Sequence, residues 1–278
     1  MDVRVGDTIA TVMRNTPVDQ LETRMLIGQV TELTRVQLIT HAERTFSADE
    51  AARLNDLFQR RIAGEPVAYL LGEREFFGLR FQVDPAVLIP RPDTELLVEL
   101  ALQHLPQHGR VLDMGTGSGA IAVAIAHTRS DVKVTALDVS DKALLVAQAN
   151  AKHNQVDVEF LRSDWFAALG GQQFDLIVSN PPYIVAGDRH LSEGDLRFEP
   201  IDALTDHADG LSALRTISQH AHQHLADGGW LLMEHGYDQA EDVRDLLVAN
   251  DFTEVQSWRD LANIERVSGG KKSHAENR

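Results

Sequence analysis

The sequence predicts an α/β protein in two parts, a small helical bundle that leads through a hairpin into a parallel sheet covered by helices on both faces. Three observations predict it. Apolar residues recur at helical spacing up to about residue 75, and glycine and proline then punctuate short alternating segments up to residue 92. From residue 110 onward, apolar strands alternate with helical stretches, the pattern of a parallel sheet with crossover helices. The 278 residues accommodate one large domain with an appendage, at about 100–200 residues per domain.

The bundle covers residues 1–74. Leu21, Met25, Leu26 and Ile27 recur at three-to-four spacing, as do Val36, Leu38 and Ile39. Ser47-Ala48-Asp49-Glu50 has capping-box form ahead of Leu54, Leu57 and Phe58. Residues 75–92 read as a β-hairpin linker: Phe76, Phe77, Leu79, Phe81 and Val83 surround Gly78, and Pro85, Pro90 and Pro92 close the segment. Asp93-Thr94-Glu95 then opens a helix carrying Leu96, Leu97, Leu100 and Leu102. The large domain runs over 93–268, with buried strands at 110–114, 133–139, 158–163 and 174–179 and helices at 120–127 and 141–153 between them. A helix at 211–225, a strand at 230–234, a helix at 238–250 and two closing strands near 253–258 and 264–267 complete it. Residues 269–278 are expected to form a loose tail.

Composition narrows the function. With 42 acidic and 26 basic side chains the formal charge is −16, against the broad positive field that general nucleic-acid or anionic-membrane binding requires. There is no cysteine, which removes disulfides, thiolate nucleophiles and thiolate metal sites, and fits a cytoplasmic home. The first residues are acidic where a signal peptide is basic, and no apolar stretch approaches the roughly 20 residues of a membrane helix.

Two motifs carry chemistry. Val111-Leu112-Asp113-Met114-Gly115-Thr116-Gly117-Ser118-Gly119-Ala120 is an apolar strand entering a glycine-rich turn that opens a helix. Glycine allows the backbone to turn tightly and approach a ligand, and the helix offers free N–H groups. Gly115-x-Gly117-x-x-Ala120 fits the dinucleotide fingerprint, whereas Asp113-x-Gly115-x-Gly117-x-Gly119 is the glycine loop of S-adenosylmethionine-dependent methyltransferases. Both expect an acidic residue about 20 positions on to accept hydrogen bonds from ribose, and Asp138 stands there. The pair indicates an adenosine-containing cofactor without choosing between the two.

The second motif, Asn180-Pro181-Pro182-Tyr183, follows the fourth strand, beyond whose carboxyl end ligands of open parallel sheets bind. A planar nitrogen is a poor nucleophile because its lone pair is delocalised. An enzyme helps by accepting hydrogen bonds from both of its N–H groups, and the Asn180 side-chain oxygen and the Pro181 carbonyl are suitable acceptors. Consecutive prolines fix the direction of that carbonyl, and Tyr183 offers a face for stacking on the planar group.

Asn-Pro-Pro-Tyr in this place resembles methyltransferases of planar nitrogens, whose substrates include adenine and guanine amines as well as glutamine. Further segments narrow the likeness: 61–72 (Arg-Ile-Ala-Gly-Glu-Pro-Val-Ala-Tyr-Leu-Leu-Gly), Ile89-Pro90-Arg91-Pro92-Asp93-Thr94-Glu95, Phe198-Glu199-Pro200 and Asp209-Gly210-Leu211. From about residue 20 to 267 the chain resembles the release factor glutamine methyltransferase (PrmC/HemK) family. The resemblance implies a Rossmann-like, seven-stranded methyltransferase domain behind the bundle and hairpin. It further implies methyl transfer from S-adenosylmethionine to the side-chain amide of the glutamine in the Gly-Gly-Gln motif of class 1 peptide chain release factors, with the bundle docking that protein.

Carried over by position, Gly115, Thr116, Gly117, Ser118 and Gly119 belong to the cofactor's methionine part, Asp138 to its ribose, and Asp164 and Trp165 to its adenine; Asp113 and Asn180 also count among the cofactor-binding residues. Asn180, Pro181, Pro182 and Tyr183 face the reaction, and no metal is expected. The runner-up is a nucleic-acid amine methyltransferase, which the charge and the lack of a basic recognition domain oppose. A non-catalytic binding module is disfavoured because both motifs and Asp138 are intact. The chain departs from the family's pattern at Asn263, where glycine is usual and which tolerates a left-handed backbone, and at His235, where isoleucine is commoner. His220, His222 and His224 are expected on a solvated helix face, and the acidic run over 188–209 in a solvated loop.

Overall fold

The structure, a computed structural model, describes residues 2–273, and the chain divides into two compact units between Glu73 and Arg74. The first unit holds α1 (Ile9–Arg14), α2 (Gln20–Thr31), α3 (Arg35–Thr40), α4 (Ala48–Ile62) and α5 (Val67–Leu71). Its core gathers Ile9 and Val12 of α1, Leu26 and Ile27 of α2, and Leu54 and Phe58 of α4. Capping boxes start α3 at Thr34 and α4 at Ser47, the latter closed by Glu50 as its sequence requires. Arg61 locks α4 onto α2 through a bidentate pair with Glu22, at 2.8 and 3.0 Å. Only one stripe of each short helix is covered, so Leu21, Met25, Val36 and Ile39 stay exposed although they share the helical spacing.

The second unit opens with β1 (Glu73–Phe76) and β2 (Leu79–Gln82), a two-stranded sheet whose turn residues Phe77 and Gly78 both have positive φ, the handedness that hairpin twist favours. Then follow α6 (Glu95–His104), β3 (Arg110–Met114), α7 (Ala120–Thr128), β4 (Lys133–Asp138), α8 (Asp141–His153), β5 (Glu159–Arg162) and β6 (Phe174–Ser179). The short α9 (Ile201–Leu204), α10 (Ser212–His224), β7 (Leu225–Glu234), α11 (Ala240–Ala249), β8 (Phe252–Arg259) and β9 (Glu265–Lys272) complete the order.

The main sheet has seven strands in the order β5-β4-β3-β6-β7-β9-β8. Those from β5 to β7 are parallel, and β9 is antiparallel to both β7 and β8. Side chains alternate between two cores, as a period of two demands. Val111, Leu176, Val178 and Leu232 join α6 and α7 on one face, while Leu112, Ile177, Leu231 and Met233 join α10 and α11 on the other. Both faces are dry, which is why these strands read as continuous apolar runs. From β3 the chain winds outward through β4 to β5, then returns to place β6 on the other side of β3. The loops leaving β3 and β6 therefore part in opposite directions above adjacent strand ends.

The expected loose tail from residue 269 is corrected. Gly269 and Gly270 lie in β9, paired with Leu232 and Leu231. A Cβ on Gly269 would stand 2.5 Å from the Leu232 side chain and 2.6 Å from the Leu231 carbonyl oxygen, so these glycines admit a strand between two others rather than mark a loop. Residues 274–278 of the expected tail lie outside the described residues. The histidine face is corrected in part: His224 is buried and stacked on Phe166 with ring centres 4.8 Å apart, since α10 turns it toward the sheet. Asn263 has φ 63°, the left-handed conformation its place required.

One side chain ties the hairpin to the glycine loop. Asn150 of α8 donates to the carbonyls of Gln82 and Ser118 at 3.0 and 2.8 Å and accepts from the Gln82 N–H at 2.7 Å, entirely buried. Replacing Asn150 with alanine strands these backbone groups, and the unfolding free energy measured in urea should fall by about 3 kcal/mol.

Candidate functional site

A cavity of about 270 Å³ opens beyond the carboxyl ends of β3, β4 and β6. Its floor is the glycine loop after β3. Gly115 and Thr116 donate their N–H groups to the Leu137 carbonyl, both at 2.9 Å, which draws the loop over the end of β4. Gly115 and Gly117 have φ of 70° and 54°, and among the described residues nothing lies within 4 Å of a Cβ built on either. Both line the cavity, so side chains here would fill it. Gly119 differs: a Cβ there would stand 3.0 Å from that of Ala147, so this glycine, in α7's cap, lets α7 approach α8. Thr116 and Ser118 are buried, Thr116 with its hydroxyl donated to Asp113 at 2.6 Å. Of the six residues from this motif, Gly115 and Gly117 reach the cavity wall.

Asp138 ends β4 on that wall. Its carboxylate accepts from the N–H groups of Gly117 and Ser140, each at 2.9 Å. Burial raises its carboxyl above the ordinary range, and these backbone donors oppose the rise. Two bonds leave carboxylate lone pairs for a ligand hydroxyl. Asp113 is wholly buried at the end of β3, where desolvation pushes its carboxyl up to about 7 against hydrogen bonds from Thr116 and the Ala122 N–H. Its Oδ1 has no hydrogen-bond partner among the described residues.

Asp164 and Trp165 border the cavity after β5. Trp165 holds φ at 46°, unusual for a bulky side chain, and its carbonyl accepts the Ser163 hydroxyl at 2.6 Å. Leu88, Val139, Pro200 and Ala203 supply apolar wall. The sequence assigns no site role to any of the four, although Pro200 stands in the Phe198-Glu199-Pro200 segment, because isolated apolar residues carry no signature of their own.

After β6, Asn180 and Pro182 line the cavity and Pro181 is buried behind them. The Ser179 hydroxyl donates to the Met114 carbonyl at 2.8 Å and binds the two strand ends together. Asn180 donates through Nδ2 to the Thr94 hydroxyl at 3.2 Å. Tyr183 lies off the cavity wall, half-buried, with its hydroxyl directed to Glu234 at 3.4 Å. Its carbonyl accepts from Gln239 at 3.1 Å, and a Cβ on Gly210 would stand 2.5 Å from that same oxygen, which explains the glycine of Asp209-Gly210-Leu211. The acidic run is not wholly solvated: Glu199 is buried, paired with Arg91 and accepting from the Ile89 N–H at 3.0 Å, so it fastens this loop to the linker. The sequence assigns no site role to Glu234 or Thr94, although Thr94 stands in the Ile89–Glu95 segment, since a strand-end glutamate and a helix-start threonine are ordinary.

Residues 92–193 match the family model described as methyltransferase small domain, and residues 11–72 match that of the PrmC N-terminal domain. The release factor glutamine methyltransferase of Neisseria gonorrhoeae is 53% identical over 254 residues, covering 91% of this chain and 93% of the relative. That of Burkholderia pseudomallei is 53% identical over 274 residues, covering 95% and 96%, and that of Escherichia coli is 44% identical over 252 residues, covering 90% and 91%. Among solved structures, a methyltransferase from Pyrococcus furiosus aligns with a TM-score of 0.55 at 18% identity, covering 77% of this chain and 97% of its own. The 16S rRNA N2 G1207 methyltransferase of T. thermophilus aligns at 0.54 and 22%, covering 72% and 49%; both likenesses show the fold alone.

The Asp113 carboxyl sits near 7 in the folded state against about 3.9 unfolded, so the folded state binds the extra proton between those values. Its contribution is fully present below about pH 4 and is lost as pH rises through about 7. Relative to Asp113→Asn, the ligand-free protein should therefore lose stability on the order of 1 kcal/mol per pH unit across that window, measured by chemical unfolding at stepped pH.

Proposed function

The chain belongs to the release factor glutamine methyltransferase family, and on that ground we propose how its residues methylate the side-chain amide nitrogen of a release factor glutamine. The observation that carries the reading is the meeting, on one cavity wall, of the open glycine loop, Asp138 and Asn180. The first two suit a nucleoside-bearing cofactor and the third a planar amide. The residues fit S-adenosylmethionine: Gly115 and Gly117 leave the room a close ligand needs, Asp138 has lone pairs for ribose hydroxyls, and Trp165 with Val139 offers apolar surface for a base. When bound, that cofactor supplies a methyl group already activated on a sulfonium.

What the chain contributes is alignment and polarisation. The Asn180 Oδ1 and the Pro181 carbonyl accept hydrogen bonds from the two amide N–H groups, raise electron density on nitrogen and turn its face toward the methyl carbon. The two prolines keep that acceptor pair rigid. Tyr183, anchored on Glu234 and by its own carbonyl on Gln239, steadies the loop rather than lining the cavity. No base is assigned, because the nitrogen grows acidic as its new bond forms and sheds a proton to water.

The net charge of −16 supports a protein substrate over a nucleic acid. The substrate we assign is the Gly-Gly-Gln segment of class 1 release factors. Lack of cysteine accords with a cytoplasmic setting beside translation, and no helix among the described residues is long and apolar enough to cross a membrane. A single glutamine side chain offers little binding surface, so the helical unit ending at Glu73 docks the body of the factor.

Incubation with S-adenosylmethionine and a release factor should add one methyl group to the Gly-Gly-Gln peptide, read by mass spectrometry. Asn180→Ala should lower kcat by about 100-fold or more while cofactor affinity stays within about threefold. Lost cofactor binding with turnover intact at saturation would overturn the role of Asn180. Removing residues 1–72 should raise KM for intact factor at least about tenfold and leave KM for a short Gly-Gly-Gln peptide unchanged; an unaltered KM for the factor would refute docking.

A further inference from the structure

Pro181 and Pro182 have no N–H group, so the Asn180–Tyr183 turn cannot fix the direction of its own carbonyls through bonds from within. It has to be held from its ends. On the entering side the Ser179 hydroxyl donates to the Met114 carbonyl at 2.8 Å, and Asn180 Nδ2 donates to the Thr94 hydroxyl at 3.2 Å. On the leaving side the first carbonyl beyond the prolines is that of Tyr183, and it meets a side chain from another loop.

We propose that Gln239 and Gly210 are positioning residues for the reaction, which clamp the leaving end of this turn and so set where Asn180 and the Pro181 carbonyl point. Neither lines the cavity. Gln239 caps α11 with 8% of its surface exposed. Its Oε1 accepts from the Gly236 N–H at 2.8 Å, and its Nε2 donates to the carbonyls of Tyr183 and Gly210 at 3.1 and 3.2 Å. An N–H only donates and a carbonyl only accepts, so these partners admit one orientation of the amide and occupy both of its ends. Because β6 and β7 are paired, with Ser179 opposite Met233, the clamp ties the turn after one strand to the loop after its neighbour.

Gly210 allows the close approach this needs. Its φ is 77°, and a Cβ there would stand 2.5 Å from the Tyr183 carbonyl oxygen and 2.9 Å from Gln239 Nε2. Asp206 shapes the loop that carries it, accepting from the N–H groups of Ala208, Gly210 and Ser212 at 2.9, 3.0 and 2.8 Å. One residue past the clamp, the Ile184 N–H donates to the Leu204 carbonyl at 3.0 Å, at the end of α9, whose Ala203 lines the cavity. Asp209-Gly210-Leu211, which forms no part of the cavity wall, thus acquires a role in the chemistry. Without the Gln239 amide two carbonyls lose their donor and the Gly236 N–H its acceptor, and the turn relaxes. A displacement of the acceptors by about 1 Å costs on the order of 100-fold in rate, while the glycine loop and Asp138 still hold the cofactor. The inference rests on the assignment of Asn180 and Pro181 as acceptors for the reacting amide.

The experiment compares Gln239→Met, Gly210→Ala, the double variant and Asn180→Ala in the full chain. It measures kcat, KM for release factor, cofactor affinity by calorimetry, and amide hydrogen exchange by mass spectrometry. Gln239→Met and Gly210→Ala should each lower kcat about 10- to 100-fold with KM and cofactor affinity within about threefold. Exchange should quicken over residues 183–186 and stay unchanged over the glycine loop at 115–119. The double variant should fall little further than the worse single one, because both act through one clamp. Wild-type kcat in Gln239→Met, alongside a disabled Asn180→Ala, overturns the clamp and leaves the role of Asn180 standing. A raised KM with unchanged kcat overturns it too, since that is a loss of binding, and so does faster exchange at 115–119 with weakened cofactor affinity, since that is general loosening. An active Asn180→Ala instead overturns the reading of the acceptor pair beneath it. Should Gly210→Ala fail to fold, Gln239→Met decides by the same outcomes.

Discussion

Everything at the site depends on the reversal of winding direction at β3. The chain leaves β3 to build β4 and β5 on one side and returns to lay β6 on the other. The loops above two hydrogen-bonded strands must therefore diverge, and a crevice opens between them without any side chain being removed to make it. The glycine loop forms one lip and the Asn180–Tyr183 turn the other, and the Ser179 bond to the Met114 carbonyl holds the lips in register. On the proposed reading, topology alone brings a cofactor on the first lip and an amide on the second together, which is the proximity that methyl transfer requires.

Around this crevice the chain buries carboxylates in unequal circumstances. Asp138 is held by backbone donors and remains at the cavity wall, Glu199 is neutralised by Arg91, while Asp113 and Glu234 are pushed up to about 7 with one oxygen of each left without a partner among the described residues. Unsatisfied buried acceptors cost stability, and proteins keep them where function needs a fixed polarity or a ligand completes the set. The surroundings are otherwise well satisfied: Asn150 and Gln239 each spend both ends of their amides on backbone groups of neighbouring turns and strand ends. Rigidity is thus concentrated in the loops that must not move.

Close packing explains glycines that motif reading alone assigns to ligands or loops. Gly119 belongs to the cofactor motif by spacing, yet its absent side chain serves contact with Ala147, while Gly115 and Gly117 face open space. Gly269 and Gly270 read as tail and are the points where β9 squeezes between β7 and β8. In each case the sequence shows only that a side chain is missing. Whether a ligand, a helix or a strand occupies the space is a question of what lies across from it.

Much was legible beforehand for physical reasons. Strands buried on both faces must be apolar throughout, a capping box must precede a helix, and Asn-Pro-Pro-Tyr must stand at a strand end to be useful; hence β3, β6, α4, α8 and the placement of Asn180 could be read from residue order. The family likeness carried the choice of glutamine, which no spacing could supply. Tertiary structure alone decided the antiparallel edge, the burial of His224, the retreat of Tyr183 from the cavity, and the contacts of Thr94 with Asn180 and of Glu234 with Tyr183. Sequence determines what is local or periodic, because neighbouring residues constrain one another's backbone and faces. Contacts between residues 50 to 90 positions apart are set by which strands lie side by side, and that order is fixed by the fold as a whole.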